Sequence, residues 1–227
     1  MSQQRLIEVL DSRINYLVQQ RYTRQPVTHK DILPKKMGKQ DTIDYMIDRT
    51  LMRPRDIILF FNNCIALAAN TPRITTNMIK QAEGEYSRKR INSLADEWRA
   101  DFPNLLKFAE LLKNRKPHFP LEEITEAECA DFCLDYCVEN NEFNDALSRS
   151  AYDLADGNIT PAAFRKILIQ IFYLVSLVGL KLERYERTEW SFDGRRRVSD
   201  AEIRPDIRVY IHPCFWRTLG VREYEQE

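Results

Sequence analysis

Leu6, Ile7, Leu10, Ile14, Leu17 and Val18 recur at spacings of three and four with charged residues between them. This pattern predicts one amphipathic helix from about residue 2 to residue 20. The polar stretch from Arg21 to Gln40, with Pro26 and Pro34, reads as a loop or short helical turns. Asp41 is placed to cap a helix carrying Ile43, Tyr45, Met46, Leu51 and Met52, and Pro54 stands where the first residue of the next helix belongs. That next helix runs through Ile57, Ile58, Phe60, Phe61, Cys64 and Leu67 to about Asn70 and ends at Thr71-Pro72. A long helix over about residues 75–100 turns Ile79, Ala82, Tyr86, Ile91, Leu94 and Trp98 inward. A short one after Pro103 carries Leu105, Phe108 and Leu112. These elements predict a helical bundle over residues 1–117, closed by the linker-like segment 114–120.

The second part has a different order. Thr125 with Glu128 three residues on forms a capping box that opens a helix to about Glu139. A second helix spans Phe143 to Leu154 and stops at Asp156-Gly157, and Thr160-Pro161 starts a third that ends before Gly179. Leu180–Leu182, Glu189–Phe192 and Ile207–Ile211 read as strands, with Gly194 and three arginines in a turn. Three helices followed by a hairpin is the winged-helix order. The expected fold is therefore mainly α, a helical bundle followed by a winged-helix domain over residues 118–227.

The longest apolar run, Ile167 to Leu180, is interrupted by Gln170 and Ser176, so it reads as a buried helix. No charged-then-apolar leader precedes the first helix, and no membrane partner is expected. Five cysteines form an odd set, three of them four residues apart, which suits a reducing cytoplasm better than a disulfide framework. The zero formal net charge conceals a division: 21 Lys and Arg stand against 13 Asp and Glu in residues 1–117, and 13 against 21 in the remainder. Such a split implies either attraction within the chain or a separate partner for each half.

Candidate chemistry is sparse. A phosphate-cradling loop needs several glycines followed by Lys and Ser/Thr. Here Gly38-Lys39 is followed by Gln40, and Leu33 stands where the leading glycine should be, so ATP hydrolysis by this chain alone is not expected. Cys129, Cys133 and Cys137 share one helical face but lack the spacing and the histidine partners of a zinc site, and read as small core residues. No nucleophile-base pairing is legible, and the carboxylates from Glu122 to Asp156 fall mostly on outer helix faces.

Arg53-Pro54-Arg55-Asp56 is more informative. Two arginines at a helix N-terminus oppose its partial positive charge. They face an anion such as a nucleotide phosphate, or they take part in a tertiary salt bridge. Arg195, Arg196 and Arg197 occupy the expected wing tip, where they contact a nucleic-acid backbone or form a solvated turn. Arg88-Lys89-Arg90 on the long helix carries the same two readings.

The stretch Arg49-Thr-Leu-Met-Arg-Pro-Arg-Asp-Ile-Ile-Leu-Phe-Phe-Asn-Asn-Cys64 resembles the segment after the ATPase core of bacterial P-loop ATPases of the AAA+/STAND-like kind. Ala82-Glu-Gly-Glu-Tyr-Ser-Arg88, Leu94-Ala-Asp-Glu-Trp98 and His212-Pro-Cys-Phe215 support it. The resemblance implies a helical lid over bound ATP, then a winged helix that relays nucleotide state or holds a protein partner. Arg53 and Arg55 match the lid arginines, one of them sensing the γ-phosphate. ATP and Mg would be held by the ATPase core, whose Walker motifs are missing from this sequence. The chain is then a C-terminal portion or a stand-alone remnant. Many such ATPases are linked to bacterial defence against phage. The alternative from a different class is a free-standing winged-helix nucleic-acid binder that uses Arg195 to Arg197 and the basic first part.

Overall fold

The computed structural model describes residues 1–19, 25–69, 71, 73–140, 143–194 and 198–222. The chain is mainly helical, with two small sheets among the described residues, and it divides into two compact units, Met1–Arg90 and Ile91–Glu227. Among the described residues no helix is long and apolar enough to cross a membrane.

In the first unit, α1 (Gln3–Gln19) buries Leu6, Leu10 and Ile14. A short helix α2 (His29–Ile32) follows, its start held by the Thr28 amide donating to Asp31 at 2.9 Å. Of the expected polar loop, residues 21–24 lie outside the described residues; much of the rest is ordered into α2 and a tight antiparallel hairpin, β1 (Lys36–Met37) and β2 (Gln40–Asp41). Its two-residue tip needs a positive φ, which Gly38 supplies at 62°. Helix α3 (Thr42–Asp48) ends before the expected Leu51 and Met52, because Arg49 closes it and Met52 turns left-handed with φ 53°. Asp41 is at the N-cap position but its side chain makes no capping bond. Helix α4 (Pro54–Leu67) begins on Pro54, as expected. It ends at Leu67, capped at Ala68, short of the expected end at about Asn70; Asn70 and Pro72 themselves lie outside the described residues. Helix α1 packs against α3 and α4. The long helix α5 (Thr76–Glu97) buries Ile79, Ala82 and Tyr86, and the division between the units falls within it.

The second unit opens with α6 (Leu105–Phe108), which tightens into a 3-10 turn to Leu112. The linker-like segment instead supplies β3 (His118–Pro120), with Phe119 buried. As an edge strand it tolerates Pro120. Three helices follow, α7 (Glu126–Glu139), α8 (Ala146–Ala155) and α9 (Pro161–Leu174). Each starts on a capping side chain: Thr125, Asp145 and Thr160 accept from backbone amides of the first turn. Phe108 sits among Phe132, Tyr136 and Phe164, with ring centroids 5.2, 4.8 and 6.5 Å away.

Strands β4 (Val178–Lys181) and β5 (Arg208–Ile211) complete an antiparallel sheet of order β3-β5-β4. The expected strand Glu189–Phe192 is reduced to a single bridge from Glu189 to Leu180. The Ser191 hydroxyl bonds that of Ser176 at 2.8 Å and the Leu174 carbonyl at 3.2 Å, drawing residues 191–193 off the sheet edge into a 3-10 turn. Gly179 lies under Trp190, where an added Cβ would meet ring atoms at 2.8 Å. A last short helix, α10 (Trp216–Leu219), ends the described fold.

Candidate functional site

The turn between α3 and α4, residues 49–53, is held from beneath by charged side chains that the first unit buries. Arg49 donates from Nε to Glu83 Oε1 at 2.6 Å, and the Tyr45 hydroxyl donates to the other carboxylate oxygen at 2.6 Å. The Arg49 guanidinium lies over the Tyr45 ring, 3.5 Å from its centroid, a cation–π contact in a desolvated setting. Tyr86 donates to the Arg49 carbonyl at 2.8 Å and stacks on Phe60 at 4.8 Å with the rings 5° from parallel. A second pair lies beside it: Arg90 Nε is 3.3 Å from Asp56 Oδ1, and Asp56 Oδ2 accepts the Leu51 amide at 3.1 Å. Arg90 and Asp56 side chains are 1% and 2% exposed, so both charges are interior ones.

Burial of two opposite pairs is the arrangement that low-dielectric interiors tolerate, since each charge has an immediate counter-charge. Its geometric effect is to fix the approach to α4. Met52, left-handed, completes the turn, and the chain then places Arg53 as the half-buried N-cap residue and Arg55 on the first turn with its side chain 56% exposed. Arg55 Nε is 3.6 Å from Asp56 Oδ1. Asp56 thus serves Arg55, Arg90 and the Leu51 amide together.

The other sequence-derived candidates separate clearly. Arg195, Arg196 and Arg197 lie outside the described residues. Arg88 and Lys89 are exposed and pair with Glu85 at 2.8 and 3.2 Å, whereas Arg90, expected on the same solvated or phosphate-facing surface, is in the core. Of α9's two cations, Arg165 is buried and donates to the Ile124 carbonyl at 2.7 Å, and Lys166 pairs with Asp200 at 3.0 Å. Cys129 and Cys133 are buried. Burial pushes the Cys129 thiol up to about 11 and raises that of Cys133 further. Among the described residues no group of three or more His, Cys, Asp or Glu side chains is placed to hold a metal ion. Gly38-Lys39 forms a hairpin tip rather than a strand-to-helix loop.

The buried network of Arg49, Glu83 and Arg90 is not what the sequence reading expects, since it sets Arg90 on a solvated or phosphate-facing surface, although a signal exists. Glu83 and Arg90 fall at steps of four, three and four with Ile79 and Tyr86, which places charged residues on the apolar stripe of α5. Residues 49–64 and 82–88, far apart in sequence, are brought together by this network.

Residues 4–95 match the profile of the FunZ-associated C-terminal helical domain, which covers the first unit and most of the remainder of α5. The chain is also 24% identical over 174 residues to the putative transposon gamma-delta 80.3 kDa protein of Escherichia coli (strain K12). That alignment takes in 76% of this chain and 23% of the relative, so the chain spans about a quarter of the length of the curated protein it matches. No solved structure matches.

Proposed function

We propose that this chain is a non-catalytic regulatory module of a P-loop ATPase, in which Arg53 and Arg55 contact the phosphates of a nucleotide held by the ATPase core. The observation that carries this reading is the clamped turn: two buried ion pairs hold the segment that presents both arginines at the start of α4. Preorganised cations bind phosphate without the ordering cost of flexible ones. Similarity to a C-terminal helical domain, and to a quarter of a longer protein, agrees with a module that works beside other domains. ATP and Mg would be bound by the core, which supplies the phosphoryl-transfer chemistry; this chain would orient the phosphates and report their presence. For the second unit, the order β3, α7, α8, α9, β4, β5 with the sheet order β3-β5-β4 supports a winged-helix reading.

The test uses the protein together with the ATPase core encoded in the same gene or beside it. Each arginine-phosphate bond is worth about 1.5–3 kcal/mol, so the double variant Arg53→Ala/Arg55→Ala, which loses two, should weaken ATP affinity or turnover by about a hundred- to ten-thousandfold. Arg88→Ala should leave both unchanged. Unaltered ATP affinity and turnover in the double variant, or the absence of any ATPase core encoded with the chain, overturns the reading.

A further inference from the structure

Lys181 and Arg208 stand directly opposite each other in the β4-β5 register. Like charges in that position sit about 5 Å apart at Cβ and repel. Their neighbours in register, Leu180 and Val209, are buried, so strand alternation turns Lys181 and Arg208 to the opposite face of the sheet. There they line an open cleft of about 520 Å³ with Arg184, Arg204, Glu183 and Asp206. Both of these carboxylates are engaged by Arg204, at 2.9 Å to Glu183 and 3.3 Å to Asp206. Lys181, Arg184 and Arg208 have no ion pair among the described residues. Four cations therefore face two acids, in a unit drawn from the acidic half of the chain.

At about 30 Å³ per water the cleft has room on the order of fifteen waters, which suits several phosphate groups rather than one. Its lining is largely exposed, so an extended chain can pass through. The nearby helix α9 offers no base-reading face, since Arg165 and Lys166 are committed inside the protein and to Asp200.

We infer that this cleft binds the phosphodiester backbone of a nucleic acid through Lys181, Arg184 and Arg208, without reading sequence. The inference stands independently of the ATPase reading, whose test acts on α4. Neutralising phosphates relieves the cross-strand repulsion and releases counterions, so affinity falls steeply with salt.

Fluorescence anisotropy of labelled 20-mers, single- and double-stranded, at about 50 to 200 mM salt supplies the test. The full chain should bind, with little preference among sequences. The double variant Lys181→Gln/Arg208→Gln should bind about tenfold more weakly or worse, with a salt slope shallower by about two. Its melting temperature should equal or exceed that of the unaltered protein, because repulsion has been removed, which separates lost binding from unfolding. Arg208→Lys, which keeps the charge, should retain binding. No binding at about 50 mM salt, or an unchanged affinity and slope in the double variant, overturns the inference. So does binding of tripolyphosphate without nucleic acid, which would mark a small-anion site, or equally tight binding of polyglutamate, which would mark an acidic-protein surface.

Discussion

Glu83 shows how much one side chain can settle. Its two carboxylate oxygens take the Arg49 guanidinium and the Tyr45 hydroxyl, each at 2.6 Å, and its side chain is 2% exposed. Removing it leaves Arg49 charged and interior, so Glu83→Ala should cost about 3–5 kcal/mol in urea unfolding. The double variant Arg49→Met/Glu83→Leu should recover most of that loss, because apolar replacement removes both desolvation penalties. If the double variant is no more stable than Glu83→Ala, the pair is not the source of the loss. Gly179 carries a second prediction of this kind. Its Cβ position is filled by the Trp190 ring at 2.8 Å, so Gly179→Ala should destabilise by about 1–3 kcal/mol, read from the same denaturation curves. In sequence Glu83 shows itself only as a charge on the apolar stripe of a long helix, with no sign of its partners, and Gly179 reads only as a helix breaker.

Local chemistry set the start of several elements. Thr125, Thr160 and Pro54 each open a helix where side-chain capping and a missing amide require it, since the partners are within four residues. Elements stabilised at a distance were illegible: β3 looked like a linker because its pairing residues lie on β5, about ninety positions away. The Thr125-Glu128 box also carries a pH prediction. Burial pushes the Glu128 carboxyl up, but the Thr125 amide and hydroxyl bonds and the Arg115 guanidinium outweigh it and hold the group below its ordinary value of 4.5. A carboxyl lowered by folding contributes stability above its unfolded value, and loses it as pH falls through the folded one. Glu128→Gln should therefore lower stability near pH 7 by only a few tenths of a kcal/mol, the side chain being 47% exposed. In thermal melts across the acid range, variant and unaltered protein should converge below about pH 4. A difference that persists undiminished at about pH 2 would show that the charge is not responsible.

At the scale of the whole molecule, each compact unit has buried thiols that report on its own opening. Burial pushes Cys64 up to about 12 and raises Cys133 as well, which leaves about one thiolate in ten thousand for Cys64 at pH 8. Both should resist alkylation in the native protein. Glu83→Ala should speed labelling of Cys64 more than that of Cys133, because the lost ion pair belongs to the first unit. Equal acceleration would mean that the chain opens as one cooperative body. The sequence by itself determined the mainly helical class, most helix starts, and the presence of arginines around Pro54, because periodicity and capping depend on neighbours within a turn or two. Only the tertiary structure decided that Arg90 and Glu83 lie inside, that residues 118–120 form a strand, and that Lys181 faces Arg208. Those outcomes depend on which distant residues share a surface: spacing sets Glu83 and Arg90 on the apolar stripe of α5, but the partners that let their charges be buried lie elsewhere in the chain.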